Sequence, residues 1–307
     1  MKKTKKPAKN LWLIVLGVSV LLNVLALIYV LRPELNKLAL KGKEAATKKE
    51  TANLFDEINP TKGFEINVSY GDLGPKMIES GVIDLDKFKS TYEKGGSPLT
   101  TEQLQILTKG SNKKIIITRD NSYFLLNFFW AAGLANKTKI LTEGEMTKYG
   151  DAGNFASTGG WSLAKTAPMD YYAKSALIAM TPAQEDLVQK VAGNIYRPCC
   201  NNSTAFPDCN HGMALLSVLE LMSANGATEK QMFEAGKYFN AFWFPGNYYD
   251  LALYFKNKEG KNFRDVPAQI ILGKNYSSAS GWSVAKKWLA DKGIIEQPPK
   301  SGGSCGV

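Results

Sequence analysis

Residues 181–191 read TPAQEDLVQKV. Thr181 and Gln184 fit a capping box, in which each side chain satisfies a backbone donor left free at a helix start. Leu187, Val188 and Val191 follow at three-to-four spacing, the period of one helix face. The arrangement recurs with Thr100 and Gln103 ahead of Leu104 and Leu107, and with Thr228 and Gln231 ahead of Met232 and Phe233. Stops are as legible as starts. Gly110, Gly226 and Gly293 fall where left-handed C-terminal caps belong, and Pro245 ends the run KQMFEAGKYFNAFWF. Only FEINVSY and KKIIIT read as strands, so the sequence predicts a mainly α-helical domain.

Upstream, LWLIVLGVSVLLNVLALIYVL (11–31) carries no charge and is long enough to span a bilayer as a helix. A cleaved signal peptide has a shorter apolar region that ends on small residues, whereas this run closes on Leu31, Arg32 and Pro33. It reads as a retained single-pass anchor. The lysines of MKKTKKPAKN (1–10) favour a cytoplasmic N-terminus, which puts everything after Arg32 on the far side of the membrane. Residues 32–60, rich in Lys, Glu and Ala, read as a stalk, and 61–307 as an extracytoplasmic helical domain.

The formal charge of +10 suggests nucleic acid until it is divided along the chain. Residues 1–50 hold 11 Lys and Arg against 3 Glu, and the rest of the chain holds 27 against 25 acids. The basic excess therefore belongs to the anchor region, and the domain lacks the clustered positive charge of a phosphate-binding face. Nucleic acid is not an expected partner.

An internal similarity organises the domain. NFASTGGWSLAK (154–165) matches NYSSASGWSVAK (275–286) at seven of twelve positions, and NFFWAAG (127–133) answers NAFWFPG (240–246) in the same order. Two related helical units, about 98–165 and 212–288, are expected. Trp130, Trp161, Trp243 and Trp282 are then candidate core wedges. Alternatively they form aromatic platforms for a glycan or a protein partner at the junction of the units.

Between the units, RPCCNNSTAFPDCNHGM (197–213) holds Cys199, Cys200, Cys209 and the only histidine, His211, while Cys305 sits in the Gly- and Ser-rich tail 297–307. Three readings stay open. Cys199, Cys200, Cys209 and Cys305 could form two disulfides that staple the loop and tail. The thiols with His211, and the Met213 thioether, could ligate zinc, copper or an iron–sulfur cluster, although the spacing departs from paired Cys-x2–4-Cys. Cys305 on its arm could also exchange disulfides with the loop. The helix that begins near His211 would place Cys209 at an amide-rich terminus that favours a thiolate. Asp120, Asp208 and Asp250 read as ordinary exposed acids. With one histidine and no Gly-x-Ser-x-Gly elbow, the chain reads as a binding protein centred on this loop rather than an enzyme.

Overall fold

The computed structural model describes residues 9–294, which fall into two units divided between Asn53 and Leu54. The basic N-terminus and the tail bearing Cys305 lie outside the described residues. Helix α1 (Lys9–Ile58) supplies the first unit. Its stretch Trp12–Arg32 is exposed and is the one described helix segment long and apolar enough to cross a membrane. Its 21 residues cover about 32 Å at a helical rise of 1.5 Å per residue, against a hydrocarbon core of about 30 Å.

The second unit begins inside α1, earlier than the composition of the stalk suggests. Leu54, Phe55 and Ile58 are buried in it, and Asn59 Nδ2 donates to the Ala241 carbonyl at 2.9 Å. Arg119 stacks over Phe55 with its guanidinium 4.7 Å from the ring centre, and donates to the Asn59 carbonyl. The two predicted strands are present and pair with each other. β1 (Phe64–Gly71) runs antiparallel to β2 (Ser111–Ile117), turning Ile66, Val68, Ile115 and Ile117 inward. Between them lie α2 (Leu73–Ser80), α3 (Leu85–Lys94) and α4 (Thr101–Lys109).

The centre is helical. α5 (Ser122–Ala135) is buried on almost every face, and after the single turn α6 (Lys139–Thr142) come α7 (Pro182–Ala192) and α8 (Asn210–Ala224). α9 (Glu229–Trp243), α10 (Pro245–Glu259), the single turns α11 (Ala268–Ile271) and α12 (Lys274–Ser277), and α13 (Ala279–Asp291) complete the unit. All three expected capping boxes form, at the starts of α4, α7 and α9. Pro245 occupies the first position of α10, where its missing amide is not needed. α5 and α8 pack most extensively against each other. A Cβ at Gly133 would run into the Met213 carbonyl, so glycine is what lets these two buried helices approach.

The similar Trp-bearing segments take different conformations. Residues 154–165 are turns and irregular chain, whereas 275–286 pass from α12 into α13. Trp130, Trp161 and Trp243 are buried, and each indole N–H donates to a backbone carbonyl, of Ser157, Val82 and Ser122 respectively. Trp282 is partly buried and donates to Asp250 Oδ2 at 3.0 Å. These rings work as wedges between elements.

α8 carries a carboxyl group with no exposure, Glu220. Asn136 Nδ2 donates to its Oε2 at 2.9 Å, while Oε1 has no partner. Burial pushes its pKa from 4.5 up to about 8, with the Asn136 hydrogen bond acting in the opposite direction. The unfolded chain releases this proton near pH 4.5, and the folded chain holds it to about pH 8. Stability is therefore greatest below the first value and falls as pH rises through the second. We expect urea unfolding free energy to decline between those limits, by about 1.4 kcal/mol for each tenfold change in proton affinity, and Glu220→Gln to flatten the decline and stabilise the protein in mild alkali.

Candidate functional site

The segment joining α7 to α8 has no regular helix of its own, and its shape comes from a few tight bonds. Tyr196 and Ser203 form an isolated antiparallel bridge, and the Thr204 amide donates to the Ile195 carbonyl at 2.8 Å. The Cys200 amide closes a turn onto Arg197, and the Asp208 amide one onto Phe206. Both similar Trp-bearing segments hold this loop from outside. The Ser157 amide donates to the Asp208 carbonyl at 3.1 Å; the Ala279 amide donates to the Cys200 carbonyl at 2.8 Å, and the Ser280 amide to Asn201 Oδ1 at 3.0 Å.

This scaffold brings three cysteines and the histidine together, as their crowding in the sequence suggested. Cys199 Sγ and Cys209 Sγ are 3.6 Å apart, and a His211 ring nitrogen lies within 4.8 Å of both. Cys209 also groups with Cys200 and Asp208 within the same limit. The three described cysteines are free thiols, so the expected staple is not formed among them. Cys209 is the N-cap of α8, its sulfur accepting from the Gly212 amide at 3.4 Å. That places His211 in the first turn, 2% exposed, against the rings of Phe244 at 4.4 Å and Trp243 at 5.8 Å. Its Nδ1 is buried without a hydrogen-bond partner. Met213, the suggested thioether ligand, is fully buried, its side chain facing Gly133 of α5.

Arg197, which the sequence reading did not single out, lies at the middle of this arrangement with no exposure. Nε donates to Cys209 Sγ at 3.3 Å and Nη2 to Cys200 Sγ at 3.3 Å and Asp208 Oδ1 at 3.0 Å. Nη1 faces Thr204 Oγ1 at 3.4 Å, and Asp208 is steadied in turn by Asn202 Nδ2 at 2.9 Å. Every arm of the guanidinium is thus engaged inside the loop, which leaves none for a substrate. Burial alone would lower its pKa, but the surrounding Cys209, Cys200, Cys199 and Asp208 charges raise it, and it stays charged. The only sequence-level signal was an Arg two residues before a Cys pair.

The thiols divide their protons unevenly. Hydrogen bonds from Cys199 and Cys200, aided by the Arg197 charge and opposed by burial, hold Cys209 well below the ordinary thiol value. The same contacts with Cys200 and Cys209, together with burial, push the Cys199 thiol up. These opposite shifts favour the thiolate form of Cys209 over that of Cys199, an arrangement suited to binding a soft cation or attacking an electrophile.

The sequence matches no protein-family model, no curated protein and no solved structure. The site must be read from its own chemistry.

Gly212 tests how tightly the parts depend on each other. A Cβ there would sit 2.7 Å from Arg197 Cζ. Gly212→Ala should therefore displace the guanidinium, destabilise the domain by about 1–3 kcal/mol and reduce the thiolate ultraviolet absorbance at neutral pH. Arg197→Met, which deprives Asp208 and Cys209 of their buried cation, should cost about 3–5 kcal/mol in chemical denaturation.

Proposed function

We propose that this is a single-pass membrane protein whose extracytoplasmic helical domain binds one divalent soft metal ion, zinc being the best match, through Cys199, Cys209 and His211. The convergence of two sulfurs 3.6 Å apart with a buried imidazole whose Nδ1 has no hydrogen-bond partner carries this reading. Zinc–thiolate bonds of about 2.3 Å at the tetrahedral angle separate two sulfurs by about 3.8 Å, so the thiols need only part slightly to admit the ion. A disulfide would require about 2.0 Å.

Charge supports the same reading. Two thiolates neutralise a divalent ion, and the Arg197–Asp208 ion pair beside them, at 3.0 Å, balances itself. Cys200, which groups with Cys209 and Asp208 rather than with Cys199 and His211, would supply a fourth ligand after a side-chain rotation. A shell closed by four protein ligands gives a structural or carrier role rather than a hydrolytic one. Copper(I) suits the thiols as well but makes less use of the imidazole. The apolar stretch Trp12–Arg32 and the lysines before it support a cytoplasmic N-terminus with the site on the other side.

Elemental analysis of full-length protein, solubilised in detergent and purified under reducing conditions, should find one equivalent of zinc or copper. His211→Ala and Cys209→Ser should remove it, and Cys200→Ser should weaken binding where Cys305→Ser does not. Fully reduced protein that takes up no metal at micromolar zinc would sink the proposal. For the membrane part, deleting residues 12–32 should move the protein from the membrane fraction to the soluble one.

A further inference from the structure

The sulfur cluster also carries an activity that needs no metal. Three observations define it. Cys199 Sγ and Cys209 Sγ are in contact at 3.6 Å, so a bond between them requires closure by about 1.6 Å, within reach of side-chain rotation. Cys209 is backed by the Arg197 Nε–H at 3.3 Å and the Gly212 amide at 3.4 Å, and both stabilise negative charge on its sulfur. Cys199 is exposed, on irregular chain that can follow the rotation, whereas Cys209 is only partly exposed.

We propose that Cys209 and Cys199 form a hydroperoxide-reducing dithiol, with Cys209 as the attacking sulfur, Cys199 as the resolving sulfur, and the Cys199–Cys209 disulfide as the product. The difference in exposure favours a small oxidant: a disulfide on another protein would meet the exposed Cys199 first, whereas a hydroperoxide is small enough to reach the partly exposed Cys209. The Cys209 thiolate attacks one peroxide oxygen, the O–O bond breaks, and the departing oxyanion takes a proton and leaves as water or an alcohol. Cys209 is now a sulfenic acid. The Cys199 sulfur attacks the Cys209 sulfur, the S–O bond breaks, and hydroxide leaves with the Cys199 thiol proton as water. Two electrons pass from the two thiols to one hydroperoxide. Arg197 acts here as a positioning residue. Cys200, held by Arg197 Nη2 at 3.3 Å, takes no part in the bond changes.

This step shares its sulfurs with the proposed metal site, and a disulfide has no thiolate left to ligate an ion. Oxidation of loaded protein therefore releases the metal in step with disulfide formation.

The test uses reduced, metal-free full-length protein in detergent with one equivalent of hydrogen peroxide, followed by intact mass and peptide mapping. We expect loss of two hydrogens and a Cys199–Cys209 linked peptide, formed on the order of tenfold faster than by free cysteine at the same pH. Cys199→Ser, a change at an exposed position, should stop at a sulfenic acid on Cys209 that dimedone traps. A Cys199–Cys200 bridge, a reaction no faster than that of free cysteine, or a Cys199→Ser protein whose Cys209 captures no dimedone would each overturn the proposal. Metal content does not enter any of these readouts, so this inference and the metal reading fail separately.

Discussion

A guanidinium with no exposure to water cannot be left partly paired, and that requirement governs the loop between α7 and α8. The penalty for burying an unpaired ion is several kcal/mol, offset only where its donors meet acceptors in good geometry. Arg197 meets two sulfurs, a hydroxyl and a carboxylate, all supplied by residues 200–209. The loop must therefore curl around it, and the curl delivers Cys209 to the start of α8 as its cap. His211 follows in the first turn, and the rest of α8 lies against α5. Gly212 and Gly133 are the two places where this chain of contacts leaves no room for a Cβ. One buried charge thus links sulfur chemistry at the edge of the domain to helix packing at its centre.

The two Trp-bearing segments gain a common purpose from the same loop. They differ in conformation, yet Ser157 and Ala279 occupy neighbouring positions of the aligned motifs, and both amides point at the cysteine loop. Trp161 is anchored to the Val82 carbonyl and Trp282 to Asp250, which ties each segment to the rest of the domain near the loop. Irregular chain has few internal bonds to resist opening. Clamping it from two sides keeps three sulfurs close enough to act together.

Elements governed by local chemistry were legible in the sequence. A Thr and a Gln three residues apart satisfy each other's backbone donors whatever the tertiary context, and all three such pairs cap helices. Glycines 110, 226 and 293 take positive φ as their positions required. The crowding of Cys199, Cys200, Cys209 and His211 also located the site. What stayed hidden depends on distant partners. An arginine is a surface residue by default, and nothing near Arg197 in the sequence announces that its acceptors will surround it. Leu54, Phe55 and Ile58 looked too sparse among lysines and glutamates to belong to a core, and only the approach of Asn59 to Ala241 and Arg119 shows why they do. Aligned Trp motifs suggested matching conformations, but identity at seven positions does not fix backbone geometry when flanking residues differ.

The electrostatics of the cluster connect its two proposed activities. Several sulfurs within van der Waals reach cannot all be ionised at once, because like charges at that distance repel strongly in a partly buried site. Arg197, ion-paired with Asp208, also donates to Cys209 Sγ, and Cys209 is the thiol whose pKa is held low. The Cys199 thiol must keep its proton until something else changes the balance. A divalent cation would do so by adding charge, with Cys199, Cys209 and His211 as the residues that would hold it. A hydroperoxide does so by removing electrons, which turns the two sulfurs into a neutral bond. Both outcomes relieve the same constraint, and they exclude each other because each consumes the Cys209 lone pair that the other needs. A site with a second arginine in place of one thiol would hold its thiolate without tension and would have no reason to do either.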